Sequence, residues 1–335
     1  MEQGKEKKVV VIGSNSFSGA HFVNLLLGSK MKVVGISRSQ EYNQVFLPYK
    51  WGDNKNSKFS FYQYDINLDF EKIIKKLFLF EPDYIVNFAA QGMVAPSWEN
   101  PEQWFETNTM ACVRLQNRLK NCSFLKKYVH ISTPEVYGSC KGYVKENINY
   151  NPSTPYAASK AAADMHLMAS YNNFDFPVIF TRSANVYGQG QQLYRIVPKT
   201  ILFFLLNKTL ELHGGGHSVR SFIHIEDVCK GTVKAMLTAP PGNIYHFAAK
   251  EAISTRSLVK LIAEKTGVSF SKLVKTTGER PGKDQKYLLD CSLAQKELKW
   301  KSEISLEKGI DDTIEWVERN IDILKKEPFD YIHKL

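Results

Sequence analysis

The chain has 335 residues, 43% of them hydrophobic and 23% charged, a composition that excludes disorder and allows one large domain or two moderate ones. Its formal charge of +10 raises the question of a polyanionic partner. Yet the lysines and arginines are dispersed beside acids with no aromatic-interleaved stripe, which argues against nucleic acid and leaves a phosphate-bearing substrate as the better match.

The chain lacks an apolar run long enough to span a bilayer, and the polar stretch Met1–Lys8 does not read as a secretory leader. The five cysteines (Cys112, Cys122, Cys140, Cys229, Cys291) lack metal-ligand spacing and read as reduced thiols. A cytoplasmic protein without membrane contact is therefore expected. Further along, Lys8–Ile12 is a buried-strand pattern, followed by a Gly/Ser-rich turn and the apolar-periodic stretch Ala20–Leu27. Strand signals recur at Lys32–Ile36, Phe59–Tyr64, Tyr84–Phe88, Tyr128–Ile131 and Val178–Thr181. Stretches of helical length lie between them at Asp69–Phe80, Pro101–Asn121 and Tyr156–Tyr171. This alternation predicts an α/β fold, a Rossmann-type doubly wound parallel sheet over residues 1–188.

After about Gly188 the pattern loosens. A helix-like run at Ile196–Leu206 precedes Gly214–Gly216 and a strand-like Ser221–Ile225. Helices follow at Thr255–Lys265, Leu293–Leu298 and Leu306–Ile323. Residues 189–335 are expected to form a smaller mixed α/β substrate-binding lobe, interwoven with the first.

Between the first strand and helix lies Gly13–Gly19, GSNSFSG, where backbone N–H groups at a helix N-terminus can hold a dinucleotide pyrophosphate. Gly13, Asn15, Ser16, Phe17, Ser18 and Gly19 are the cofactor candidates here. Plain strand-to-helix turns use the same residue types, and it is the first-strand context that favours the cofactor. At the second strand's end an acid would read the ribose 2′-hydroxyl of NAD, whereas an Arg accommodates the phosphate of NADP. This chain has Ser37-Arg38-Ser39 and no acid until Glu41, which favours NADP, with NAD as the alternative. Asp65 and Ile66 would border the adenine, and Ala89, Ala90 and Gln91 would let the cofactor approach.

Tyr156 and Lys160 stand one turn apart on one helix face, where a nearby ammonium would lower the phenol pKa toward a working range. Such a Tyr can take a proton from a substrate hydroxyl as hydride leaves the same carbon. The spacing alone is common in helices; its company is what counts. Thr133 and Glu135 fall just beyond the C-terminal edge of a strand, where open parallel sheets bind ligands. The pair Trp98 and Trp104 reads as packing, and His130, His224 and His246 lack ligand spacing, so no metal site is expected.

In order, the Gly13/Gly19 loop, Asn87–Gln91, Asn108, Ser132–Gly138, Tyr156-x-x-x-Lys160, Arg182–Gly188, Arg220–Asp227 and Glu279–Asp284 resemble the extended short-chain dehydrogenase/reductases. Within that group the chain is similar to the nucleotide-sugar 4,6-dehydratases of the NAD-dependent epimerase/dehydratase family, a resemblance covering nearly the whole sequence. It implies oxidation of a sugar at C4, elimination of water across C5 and C6, and hydride return to C6, giving a 4-keto-6-deoxy sugar nucleotide. It further implies Tyr156 as base for the C4 hydroxyl, and Lys160 tuning it and holding the nicotinamide ribose. Thr133 would bond the same hydroxyl, and Glu135 would take the C5 proton. Asn185, Arg220 and Arg280 would hold the nucleotide diphosphate, and a homodimer through the two long helices is implied.

One position departs. The dTDP-glucose dehydratases carry an Asp between Thr and Glu that protonates the leaving C6 hydroxyl, and here Pro134 has no proton to give. The GDP-mannose dehydratases also lack that Asp. Glu135 could relay its own proton, and hydride return to C4 would instead give a 5,6-ene sugar. A nucleotide-sugar 4-epimerase or reductase, needing no Glu135, is the rival enzyme. An NAD(P)-sensing binding protein is the rival outside catalysis.

Overall fold

Unbroken β-branched runs such as Val9–Ile12 suit strands covered on both faces, and the structure, a computed structural model, places them in such a sheet. It describes residues 6–29, 31–52, 58–140, 142–278 and 288–334. In chain order come β1 (Lys8–Ile12), α1 (Phe17–Gly28), β2 (Lys32–Ser37), β3 (Phe59–Gln63), α2 (Phe70–Phe80) and β4 (Tyr84–Asn87). Then follow α3 (Pro101–Trp104), α4 (Ala111–Leu119), β5 (Lys127–Ile131), the short β6 (Tyr143–Val144), α5 (Pro155–Phe174) and β7 (Val178–Ser183). Beyond these lie β8 (Asn185–Tyr187), α6 (Ile196–Leu205), β9 (Leu210–His213), β10 (Val219–Arg220), β11 (Phe222–His224), α7 (Ile225–Thr238) and β12 (Ile244–Phe247).

Seven strands pair in parallel in the order β12-β7-β5-β4-β1-β2-β3. The order reverses between β1 and β4, so the crevice beyond their C-terminal ends is where such a sheet binds its ligand. Gly13 sits in that crevice with φ +84°, and a Cβ there would lie 2.6 Å from the Ala89 nitrogen. Only glycine lets the first turn approach the loop after β4 so closely.

The reading of Pro101–Asn121 as one helix holds for its path, but Phe105–Met110 between α3 and α4 winds as a π-helix. α5 begins where Thr154 caps the Ala157 N–H and Pro155 fills the first turn. Small residues, Ala157, Ser159, Ala161 and Ala163, are buried along it and let it lie close against its neighbours.

The boundary expected at residue 188 is crossed by the chain. β12, which sequence reasoning did not pick out, completes the parallel sheet beside β7. α7 returns Ile225, Cys229 and Met236 to the core that α1 shares with β1. A second core gathers α6, Thr255–Lys265 and Leu306–Arg319 around residues such as Leu202, Ile262 and Trp316. Among the described residues no helix is long and apolar enough to cross a membrane.

Candidate active site

The β1–β4 crevice is a cavity, and nine cofactor candidates line it: Gly13, Asn15, Ser16, Arg38, Asp65, Ile66, Ala89, Ala90 and Gln91. Phe17, Ser18 and Gly19 do not, and neither do Tyr156 and Lys160. Phe17 is buried in the core under α1, the Ser18 carbonyl faces the Cys229 thiol, and Gly19 packs on the Gly13 carbonyl. Ser16, standing where the family pattern has a third glycine, closes the loop itself. Its hydroxyl donates to the Gly13 carbonyl at 2.7 Å and accepts the Gly19 N–H at 3.1 Å, capping α1.

The end of β2 is held by Asn15, whose side-chain amide donates to the carbonyls of Ser39 and Gln40 at 3.0 and 2.8 Å. Glu41, the acid nearest that end, is engaged elsewhere: Tyr49 donates to it at 2.8 Å and Lys50 pairs with it at 2.7 Å. One Asp65 oxygen accepts the N–H groups of Asn67 and Leu68, which fixes the turn into α2. Gln91 is fixed through its backbone, since its N–H donates to the Asn108 side-chain oxygen at 2.8 Å and its carbonyl accepts the Asn108 amide at 3.1 Å. The same Asn108 amide reaches the Ser159 hydroxyl on α5 at 3.0 Å.

Beyond β5, Thr133 caps a turn of 3-10 helix at Pro134–Tyr137, its hydroxyl accepting the Glu135 N–H at 3.3 Å. Tyr156 comes to the same place from the start of α5, its backbone N–H donating to the Ser97 hydroxyl at 3.2 Å. The phenol is held above its ordinary pKa, by burial first and by the charge of Glu135 second. A hydrogen bond from Thr133 and the guanidinium of Arg195 act in the opposite sense. Thr133, Glu135 and Tyr156 therefore converge, and Arg195, at the N-terminal end of α6, joins them unforeseen.

Lys160 was expected to lower the Tyr156 pKa, and it does not figure among the main influences on the phenol. Its ammonium is buried under α5, donating to the Ile131 carbonyl at 2.7 Å and meeting His130 Nε2 at 3.2 Å. Burial lowers its own pKa. Behind it Asp164 pairs with Arg182 at 2.8 Å and accepts the Ser132 hydroxyl at 2.6 Å. Arg182 also donates to Tyr137, whose hydroxyl lies 2.8 Å from His246 Nε2. The Asp164–Arg182 pair ties α5 to β7 and, through Ser132, to the end of β5, while among the described residues Asp164 Oδ1 and Arg182 Nε are buried without a hydrogen-bond partner.

Asn185 opens β8 and Arg220 ends β10, next to Ser221, whose carbonyl accepts the Asn185 N–H at 3.1 Å. Arg280 and the rest of Glu279–Asp284 lie outside the described residues. Trp104 is fully buried, as packing requires, whereas Trp98 is 53% exposed. Among the described residues no group of three or more His, Cys, Asp or Glu side chains is arranged to hold a metal.

Residues 10–313 match the family described as GDP-mannose 4,6 dehydratase. The chain belongs to that family. Its relatives include a dTDP-glucose 4,6-dehydratase of Streptomyces antibioticus, 33% identical over 253 residues, or 74% of this chain and 75% of the relative. A trifunctional UDP-glucose 4,6-dehydratase, epimerase and reductase of Arabidopsis thaliana is 29% identical over 94% of this chain. The chain spans about half the length of that plant protein, 47%.

Among solved structures of the same fold, the dTDP-glucose 4,6-dehydratase of Streptomyces venezuelae with NAD bound superposes with a TM-score of 0.86. It is 28% identical, and the match covers 94% of this chain and 98% of that one. A UDP-glucuronic acid 4-epimerase from Bacillus cereus, also with NAD, reaches 0.84 at 27% identity over 93% of this chain and 99% of its own. Dehydratase and epimerase thus share this architecture.

Proposed function

We propose that the protein is a nicotinamide-dependent nucleotide-sugar 4,6-dehydratase, a hydro-lyase that converts a nucleotide-diphosphate sugar to its 4-keto-6-deoxy form. One observation carries this reading: Thr133, Glu135 and Tyr156 converge beyond β5, the strand that pairs with β4 in the sheet. An epimerase or a sensor of cofactor has no use for the carboxylate in that company. The crevice suits a dinucleotide, because a Cβ at Gly13 would collide with the facing backbone and the lining offers hydroxyls and a cation.

A bound nicotinamide would supply the hydride acceptor for C4 of the sugar and the hydride donor for C6. Tyr156 as phenolate takes the proton of the C4 hydroxyl while Thr133 holds that hydroxyl in line. The 4-keto group acidifies C5, and Glu135 removes the C5 proton as the C5–C6 double bond forms. Pro134 supplies no acid, so Glu135 passes the proton it has taken to the departing C6 hydroxyl, which leaves as water. As hydride reaches C6 the enolate is protonated at C5 from solvent, balancing the proton that Tyr156 releases. Arg195 offers positive charge close to Tyr156, and Asn185 and Arg220 would hold the diphosphate.

Arg38 at the end of β2, with Glu41 bound by Tyr49 and Lys50, supports NADP over NAD; the structural relatives carry NAD. A cytoplasmic setting, supported by five free cysteines, and a homodimer belong to the same reading. Phe105, Met110 and Met165, exposed on the two long helices, offer an apolar face for a second copy.

The test is incubation with UDP-, dTDP-, GDP- and CDP-sugars, followed by mass spectrometry and NMR. Loss of one water from one substrate with a 4-keto-6-deoxy product is expected. Glu135→Gln should cut that turnover by about 100- to 10,000-fold, the usual worth of a general base. An isobaric product untouched by Glu135→Gln would establish epimerisation instead, and a 5,6-ene would place hydride return at C4.

A further inference from the structure

The segment Glu327–Lys334 crosses the molecule from the second core to the mouth of the cofactor crevice, held at each step. Asn43 donates to Glu327 at 3.2 Å, and Lys199 pairs with Asp330 at 2.8 Å. Phe329 meets Phe203 edge to face, as Tyr331 does Tyr194 beside Arg195. His333 stacks on Trp104 with centroids 5.3 Å apart and bonds Gln103 at 2.6 Å.

Lys334 ends this path in the crevice lining. Its carbonyl accepts the Gln91 side-chain amide at 3.2 Å, beyond β4, and its ammonium donates to the Ser39 hydroxyl at 2.9 Å, beyond β2. One residue thus bridges the two walls of a crevice whose lining also includes Gly13, Asn15 and Ser16.

We propose that Glu327–Lys334 is a strap across the cofactor crevice, and that Lys334 is a specificity-determining residue binding the phosphate on the adenosine ribose. The inference rests on the crevice holding a nicotinamide dinucleotide and adds the residue that distinguishes its two forms. The ammonium stands at the end of β2, where the ribose 2′ position is read, with Arg38 in the same lining. A neutral hydroxyl is a weak partner for an ammonium, and a phosphate dianion a strong one. Lys334 therefore exchanges Ser39 for the phosphate when NADP enters, while its carbonyl keeps the strap on Gln91. The strap also touches Tyr194 and Lys199, which flank Arg195 in sequence.

The experiment measures dissociation constants of the full chain for NAD, NADP and adenosine 2′,5′-bisphosphate by calorimetry. The parent, Lys334→Ala and Lys334→Arg are compared. Lys334→Ala should weaken NADP and the bisphosphate by about 10- to 100-fold, the worth of one charge-assisted hydrogen bond. NAD should change by less than about 3-fold, and Lys334→Arg should retain most of the NADP affinity. Lys334 is exposed, so the substitution does not threaten folding. An unchanged NADP-to-NAD ratio would overturn the proposal while leaving dinucleotide binding intact. Tighter binding of both cofactors by Lys334→Ala would overturn it too, showing that the strap obstructs the crevice. A parent that binds neither cofactor would defeat the enzymatic reading and the strap together.

Discussion

Tyr156 must lose its proton to act as a base, and in the free protein its surroundings oppose that. Burial and the Glu135 carboxylate stabilise the neutral phenol, while Thr133 and Arg195 pull the other way. Two substitutions should therefore move the phenol in opposite directions. Glu135→Gln removes a negative charge and should shift the pH midpoint of C4 oxidation downward, read as cofactor reduction in a single turnover. Arg195→Ala removes a positive charge and should shift that midpoint upward. Coincident midpoints in the three proteins would remove both side chains from the catalytic neighbourhood. Glu135 was legible in the sequence because it follows Thr133 within a recognisable stretch beyond a strand. Arg195 was not, since it stands in no motif and reaches Tyr156 only once α6 packs into the second core. Lys160 was legible by spacing, whereas the turn of its ammonium under the helix to Ile131 and His130 was not.

At the scale of elements, the π-helical Phe105–Met110 stretch shows what periodicity misses. One wider turn inside a helix barely alters the apolar pattern from Pro101 to Asn121, yet it changes where Asn108 faces. Asn108 satisfies both backbone groups of Gln91 and touches Ser159, joining a cofactor-crevice wall to the catalytic helix. Asn108→Ala leaves the buried N–H and carbonyl of Gln91 without that partner, at a cost of about 1–3 kcal/mol. The midpoint of urea unfolding should fall accordingly, and cofactor affinity should weaken because the Gln91 loop loosens. A variant that loses stability but binds cofactor like the parent would make Asn108 purely structural. The alternating strands were legible because buried parallel strands are written as unbroken β-branched runs. β12 was not, being only Ile244–Phe247 and arriving after the expected boundary at 188.

The whole molecule carries +10, and several of its histidines add nothing to that charge while it is folded. His21, bonded to the Gln189 carbonyl at 2.7 Å, is pushed down to about 4, chiefly by burial. His246, between Tyr137 and the Asp290 carbonyl, is pushed down to about 3 by burial and then by Arg182. His130 is driven well below the ordinary histidine value by burial and by the Lys160 and Arg182 charges. In the unfolded chain each would titrate near the usual value of about 6.5. Below that pH the unfolded state therefore binds more protons than the folded one, and stability falls with acidification. The loss begins near pH 6.5 and saturates near 4 for His21 and near 3 for His246. Each histidine contributes about 1.4 kcal/mol per pH unit within its window. Thermal unfolding at constant ionic strength should accordingly show Tm declining steadily from pH 6.5 to 5, before most carboxylates titrate. Replacing His246 by Gln, which keeps a side-chain amide but cannot ionise in that range, should make the decline shallower even if it lowers Tm at pH 7. A Tm that stays level down to pH 5, or a decline as steep in His246→Gln as in the parent, would mean that these histidines do not set the acid stability of the fold.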